Sequence, residues 1–341
     1  MENNKKVLVT GAAGFIGFHL SKVLLEMQYH VVGLDNINSY YDINLKYARL
    51  NELGIQRNQA EVFLQKNKSS AQNSNFTFIR MKLEDTENLQ ALFKDESFDL
   101  VCNLAAQAGV RYSIKNPQAY IDSNIQGFLN ILECCRHNQV SRLVYASSSS
   151  VYGNSTSIPF KEEDQIDKPI SLYAATKKSN ELMAHTYSHL YGLQTIGLRF
   201  FTVYGPWGRP DMAMFLFTKA ILNDEPIKVF NHGDLSRDFT YIDDIVAGIV
   251  STLDQNSIEN EIYQLYNIGN NNPVKLLDFI EAIENTIGKQ AKKEMLPMQD
   301  GDVSRTWADS SRLMKNFNYK SSIPITKGVE KFVEWYKTFY C

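Results

Sequence analysis

The sequence contains four cysteines, Cys102, Cys134, Cys135 and Cys341, and no Cys-x-x-Cys pair. That spacing excludes a dithiol redox motif, and chain neighbours such as Cys134 and Cys135 rarely bridge; reduced, mostly buried thiols of a cytoplasmic protein are expected. No metal-ligating set stands out. The sequence also lacks any apolar run near the roughly 18 residues of a membrane span. It shows no basic clustering: 35 Lys and Arg against 38 Asp and Glu leave a net charge of −3. Nucleic acid and membrane surfaces are therefore not expected partners. Internal repeats are absent too. Lys5 and Lys6 before VLVTGAAGFIGF carry a faint likeness to a secretory leader, but the glycines argue against its apolar core.

Apolar residues make up 44% of the 341 positions, enough for a sizeable core and about two domains. Short apolar runs at 6–10, 30–35, 76–81, 99–104 and 142–148 read as strands. Helical patterns lie between them, notably FIGFHLSKVLLEMQ, 117–137 and 171–190. Strand alternating with helix implies a parallel sheet covered on both faces. Residues 36–75, rich in Asn, Gln, Lys and Ser, interrupt the order as an excursion with one helix (44–53) and a surface loop, NKSSAQNSN at 67–75. The later half is less regular. LQTIGLRFFTVYG (193–205) reads as a strand leading into a loop, PIKVF and DFTYI as strands, and 214–222, 277–288 and 328–339 as helices. The expected division is 1–192, with segments around 237–255 returning to it, and a smaller α/β unit over 193–341 that closes on the first.

Gly11-Ala12-Ala13-Gly14-Phe15-Ile16-Gly17 is a Gly-x-x-Gly-x-x-Gly turn directly between a strand and a helix. Glycine permits the tight turn and lets a pyrophosphate approach the backbone, while the helix N-terminus offers free N–H groups. Asp35 ends the second strand, 18 positions after Gly17. A carboxylate there binds ribose hydroxyls and repels a 2′-phosphate, which favours NAD over NADP.

Tyr173 and Lys177 stand four apart at the start of a helix, on one face. A Tyr ordinarily titrates near 10. A neighbouring ammonium and a positive nicotinamide stabilise tyrosinate, so this Tyr can exchange a proton. Upstream, Ser147, Ser148, Ser149 and Ser150 follow a strand and supply hydroxyls at the end of the sheet where ligands bind.

Glycine turn, serine run and Tyr-x-x-x-Lys, in this order, resemble the extended short-chain dehydrogenase/reductase family of nucleotide-sugar epimerases, decarboxylases and dehydratases, and within it the bacterial UDP-glucuronate 4-epimerases. The segments that carry the likeness are DNINSYYD, NLAAQAGVRYS, YASSSSVYG, SLYAATKKSNELMAH, LRFFTVYGPWGRPDM and RDFTYIDDIV. The resemblance spans roughly 5–338 and implies a Rossmann-type doubly wound parallel sheet with a smaller C-terminal α/β substrate domain. It implies NAD as cofactor, a UDP-sugar substrate and a homodimer paired through helices 117–137 and 171–190, where Ile121, Ile125, Phe128, Leu129 and Leu132 form an apolar face. It makes Tyr173 the base, Lys177 its tuner and ribose ligand, and Ser148 a partner of the sugar O4. Gly11, Gly14, Phe15, Ile16, Gly17, Asp35, Asn36, Leu83, Ala105, Ala106 and Asn124 join them around NAD. Arg237 is expected on the UDP phosphates, and Ser148, Ser149, Ser150, Thr202 and Arg209 on a uronate carboxylate, with Arg111 as a further candidate.

Two positions depart from the family pattern. An acid often holds adenine near Lys82, whereas the acids here are Glu84 and Asp85; an arginine often meets phosphate near Gln299, leaving Arg305 as a substitute. The implied reaction is proton removal from O4 by Tyr173 with hydride transfer from C4 to NAD, rotation of the 4-keto sugar, and hydride return to the other face. Ser149 and Ser150 stand where dehydratases carry Asp-Glu, and Ser150 where decarboxylases carry Glu. The rivals are a UDP-glucuronate decarboxylase, a UDP-hexose 4-epimerase and, more distantly, a non-catalytic NAD-binding scaffold.

Overall fold

The computed structural model describes residues 5–71, 74–259, 261–299 and 302–341. Part of the expected loop at 67–75, residues 72–73, lies outside them. The strands in chain order are β1 Lys6–Thr10, β2 His30–Asp35, β3 Lys66–Lys68, β4 Phe76–Arg80, β5 Leu100–Asn103, β6 Arg142–Ser148 and β7 Gln194–Phe200. They continue as β8 Thr202–Tyr204, β9 Pro226–Val229, β10 Ser236–Arg237, β11 Phe239–Tyr241, β12 Tyr263–Ile268, β13 Val274–Lys275 and β14 Lys292–Met295.

Eight of these strands form one sheet in the order β12-β7-β6-β5-β1-β2-β4-β3. All neighbours run parallel except β3, which pairs antiparallel with β4 at the edge. Side chains alternate between the two faces. Val7, Val9 and Val31 enter one core with Phe18 and Leu24 of helix Phe15–Glu26 and Ile245 and Ile249 of helix Ile242–Asp254. Leu8, Val32 and Val101 enter the other, with Leu89 and Phe93, Phe128 and Leu132, and Ala184 from helices Thr86–Glu96, Gly127–His137 and Leu172–Tyr191. This is the doubly wound sheet implied by the sequence.

Strand order reverses between β1 and β5, so loops leaving these two strands diverge and open a crevice. Thr10 at the end of β1 donates 2.6 Å to Asn103 at the end of β5 and accepts 3.1 Å from the Ala105 N–H. The crevice floor is thus fixed by the two strands that define it. Smaller pairs stand beyond the sheet's carboxyl edge: β8 with β11, β9 with β14, and β10 with β13. Helix Leu276–Ile287 joins this region, packing on Ala213–Leu222 and Ile325–Tyr340.

Three expectations are corrected. The pattern at 117–137 is no continuous helix: short helix Gln118–Tyr120 runs into a wide π turn, Ile121–Gln126, before Gly127–His137. The excursion at 36–75 holds more than one helix and a loop. It contains helices Ile43–Glu52 and Arg57–Ala60 and the edge strand β3, where Asn67 is buried and donates to the carbonyls of Gln59 and Gln65. The loop expected after β7 is instead the second strand β8, and β12, which no apolar alternation announced, forms the far edge of the sheet. Helix Ile242–Asp254 lies on helix Phe15–Glu26. All four cysteines are free, and Cys102, Cys134 and Cys135 are buried.

Candidate active site

The glycine turn forms one wall of a cleft of about 390 Å³ at the strand-order reversal. Gly11 adopts φ +73°, and a Cβ there would lie 3.0 Å from the Ala105 nitrogen. A Cβ on Gly17 would stand 2.2 Å from the Gly11 carbonyl oxygen, so no side chain fits. Helix Phe15–Glu26 begins at Gly14 without a side-chain cap and with no acid in its first turn. Its first N–H groups thus remain available to an anion. Asp35 is buried and accepts from the N–H of Ala13 at 3.2 Å and of Ile37 at 2.8 Å. These bonds tie the carboxylate to the turn while leaving it lone pairs for hydroxyls. Gly11, Gly14, Phe15, Ile16, Gly17, Asp35, Asn36, Leu83, Ala105 and Ala106 all line this cleft, together with Ser148, Tyr173 and Lys177. Shape and donors fit a dinucleotide.

Helix Leu172–Tyr191 carries the reactive pair. Ser171 caps its start, accepting from the Ala174 N–H at 3.1 Å, and Gly192 at φ +68° ends it. Lys177 is buried and donates 2.7 Å to the Ala146 carbonyl on β6. Burial pushes its ammonium down to about 8, against the pull of Glu181 one turn on. Burial raises the Tyr173 phenol above its ordinary value; a hydrogen bond with Ser148 and the charge of Arg209 oppose that rise. Ser148, at the end of β6, caps the turn Ser149–Tyr152: its Oγ accepts from the Ser150 N–H at 3.2 Å and lies 3.1 Å from the Ser150 hydroxyl. Phenol, hydroxyl and ammonium thus meet on one cleft wall, suited to moving a proton at a substrate hydroxyl.

A second, wider cavity of about 940 Å³ opens toward the later half. Ser149, Ser150, Thr202, Arg209, Tyr40 and Met212 line both cavities, which therefore meet at the serines. Arg209 is paired with Asp211 at 3.0 and 2.5 Å. Arg111 and Arg237 stand on the wider cavity on either side of Asp302, at 3.6 and 2.8 Å. Gln299 is also on that wall, but Arg305 is exposed and lies outside the lining of both cavities. Cations for a diphosphate would come from Arg111 and Arg237 instead.

Asn124 does not line either cavity. Buried in the π turn, it accepts from the Gln107 N–H at 2.8 Å and donates to the Gln107 carbonyl at 3.1 Å and the Thr176 hydroxyl at 3.0 Å. It fixes the cleft loop to the helix of Tyr173 from behind. Of the two acids near Lys82, Asp85 caps helix Thr86–Glu96 through the Asn88 N–H, whereas Glu84 lines the cleft beside Ser123, which donates to it at 3.2 Å. Sequence reasoning missed Tyr40, Lys46, Gln107 and Met212, all on the cleft wall. Tyr40, Gln107 and Met212 lie in the segments DNINSYYD, NLAAQAGVRYS and LRFFTVYGPWGRPDM that carry the likeness, whereas no such segment includes Lys46. Sequence reasoning also missed the buried support behind Lys177. Glu181 there accepts from Arg199 at 2.8 and 3.0 Å and from Ser147 at 2.7 Å.

A model of the NAD dependent epimerase/dehydratase family matches residues 7–269. Protein CapI of Staphylococcus aureus is 53% identical, over 98% of this chain and 99% of its own length. UDP-glucuronate 4-epimerase 4 of Arabidopsis thaliana is 45% identical over 99% of this chain and 76% of its own. Among solved structures, the Bacillus cereus UDP-glucuronic acid 4-epimerase in complex with UDP-glucuronic acid and NAD has a TM-score of 0.87 and 36% identity. That match covers 98% of this chain and 100% of that one.

Proposed function

Because the chain belongs to the NAD-dependent epimerase/dehydratase family, we propose that it interconverts UDP-glucuronate and UDP-galacturonate by inverting C4, with NAD as its resident cofactor. The observation that carries this reading is the junction of the two cavities. There Tyr173 and Ser148 on the dinucleotide cleft meet Ser149, Ser150, Thr202 and Arg209, a set of hydroxyls and one cation suited to a carboxylate.

NAD, when bound, would supply the hydride acceptor, and in its reduced form the hydride donor, that inversion at C4 needs. The protein positions and moves protons. Tyr173 takes the O4 proton and later gives one back; Ser148 shares the hydrogen bond to O4. Lys177, fixed by the Ala146 carbonyl, places positive charge beside the phenol and lowers its pKa in the loaded site. Ser149, Ser150, Thr202 and Arg209 hold the sugar carboxylate. That grip matters because a C4 ketone makes the acid a β-keto acid, prone to lose CO2. Neither Ser149 nor Ser150 offers the carboxyl group that dehydration or decarboxylation would use. The glycine turn, Asp35, Glu84, Leu83, Ala105 and Ala106 receive the dinucleotide, and Arg237 and Arg111 the diphosphate.

We assign dinucleotide binding to the whole eight-stranded sheet, so the later half contributes β7 and β12 as well as helix Ile242–Asp254. Substrate binding falls to the smaller strand pairs and helices Ala213–Leu222 and Leu276–Ile287. A homodimer is part of the proposal. Phe128 and Leu132 are buried within the chain, but Ile121, Leu182 and Leu190 stay exposed on the helices expected to pair. So is a cytoplasmic place, in keeping with four free thiols; among the described residues no helix is long and apolar enough to cross a membrane.

Incubation with UDP-glucuronate followed by proton NMR tests the function. UDP-galacturonate is expected. UDP-xylose with CO2 would make the protein a decarboxylase, and turnover of UDP-glucose alone a hexose epimerase.

A further inference from the structure

Arg209 does not meet the cavity junction as a lone cation. Asp211, two residues on, accepts from its Nε at 3.0 Å and its Nη2 at 2.5 Å. Tyr40 donates 3.0 Å to the Oδ2 that Nη2 also reaches. Arg209 and Tyr40 line both cavities, and Asp211 lines the wider one. The side chains of Arg209 and Asp211 are 25% and 30% exposed, so the pair is reachable from the cavity rather than sealed in the core.

Tyr40 comes from the excursion after β2, far along the chain from Asp211. It is held there: its ring lies 4.9 Å from that of Tyr112, and its hydroxyl packs so closely over Gly109 that a Cβ on Gly109 would lie 2.3 Å away. The acid beside Arg209 is thus fixed by a second element.

A carboxylate fixed on a guanidinium changes how that guanidinium treats an anionic ligand. A sugar carboxylate approaching Arg209 finds its donors partly occupied and meets a like charge. Inversion at C4 requires the sugar to present both faces, so contacts to its carboxylate must break and re-form within each turnover. A guanidinium with no resident partner would grip the ground state and slow that exchange, since binding substrate more tightly without binding the turning state equally lowers kcat.

We propose that Asp211, fixed by Tyr40, is a positioning residue that loosens the hold of Arg209 on the substrate carboxylate and so lets the sugar turn over between proton removal and return. This rests on the epimerase reading above. It sets Asp211 and Tyr40 as determinants of turnover for acidic UDP-sugars, acting through Arg209.

The test uses the full-length protein with its NAD, as wild type, Asp211→Asn and Tyr40→Phe. Calorimetry measures the affinity for UDP-glucuronate and for UDP, and NMR measures kcat. Asp211→Asn is expected to bind UDP-glucuronate about threefold to tenfold more tightly, with UDP affinity unchanged and kcat reduced by at least the same factor. Tyr40→Phe is expected to shift both in the same directions by less. Unchanged or weaker affinity for UDP-glucuronate in Asp211→Asn overturns the proposal, as does tighter binding with kcat retained. A wild type that forms no UDP-galacturonate would remove the epimerase reading and this proposal together. That outcome is distinct from an active wild type whose variants bind the acid as it does.

Discussion

Lys177 donates a 2.7 Å hydrogen bond to the main-chain carbonyl of Ala146, reaching from its helix to strand β6 near its C-terminal end. That single bond holds a buried ammonium one helical turn from Tyr173, and it does not repay the cost of burial, since the group is pushed down to about 8. In the unfolded chain the same group titrates near 10.4. Below about pH 8 both states carry the proton and the folded state bears the full burial cost. As pH rises from about 8 to about 10.4 the unfolded state binds more protons, so stability rises through that window. Lys177→Met is therefore expected to raise the melting temperature at pH 7 by a few degrees while abolishing turnover. The gain should shrink above pH 8. Thermal unfolding across pH measures it, and a lower melting temperature at pH 7 would mean that the bond to Ala146 outweighs burial.

Glu84 and Asp85 are adjacent acids with separable roles. Asp85 caps a helix, and caps of this kind contribute about 1 kcal/mol. Glu84 lines the dinucleotide cleft. Asp85→Ala should cost about 1 kcal/mol in urea unfolding and leave NAD affinity unchanged. Glu84→Ala should leave stability unchanged and weaken NAD binding by about tenfold, the loss of one charged hydrogen bond. The opposite pattern would exchange their assignments.

The parts legible in the sequence were those with a backbone reason or a strict spacing. Gly14 and Gly17 leave no room for a Cβ, Gly11 takes φ +73°, and Tyr173 and Lys177 share a helical face. Strand β12 was not legible because its inward positions include Gln264 and Asn267, whose buried amides satisfy Tyr266 and Tyr152 rather than forming an apolar alternation. Strand β3, Lys-Asn-Lys, has no apolar residue at all. The break at 121–126 was hidden because a π turn keeps helical composition while rotating Asn124 inward. Arg305 illustrates the opposite error: a cation near the right place in sequence whose side chain stands outside both cavities.

Glu181 and Arg199 form a doubly hydrogen-bonded pair with both side chains 1% exposed, behind Lys177 and β6. Removing one partner leaves a buried charge without compensation, which costs about 3–5 kcal/mol. Glu181→Ala should therefore destabilise the protein by that amount in urea unfolding. Arg199→Met in the Glu181→Ala background should restore part of the loss, because no lone charge then remains. A double variant as unstable as the sum of the singles would show that the two charges do not act as a pair.

Arg49 joins regions that meet only in the folded chain. It is fully buried in helix Ile43–Glu52, and its Nη1 donates 2.8 Å to the Ala13 carbonyl in the glycine turn and 2.8 Å to the Tyr41 hydroxyl. Its Nη2 donates 2.6 Å to the Trp207 carbonyl, two residues before Arg209. Among the described residues its hydrogen-bond partners are carbonyls and a phenol, with no carboxylate among them. Arg49→Met keeps the length of the stem but leaves the buried Ala13 carbonyl and two half-buried acceptors without donors, and a fully buried group so left costs about 1–3 kcal/mol. Relief of a desolvated charge offsets part of this, so a net loss of about 2 kcal/mol is expected in urea unfolding. Because Ala13 sits inside the turn that receives the dinucleotide, NAD retained after dialysis should fall as well. Arg49→Lys keeps the charge but not the planar fork that reaches both carbonyls at once, so it should recover little of either loss. Full recovery by lysine would mean that charge alone acts here, and NAD retention equal to wild type in Arg49→Met would separate the buried tie from cofactor binding.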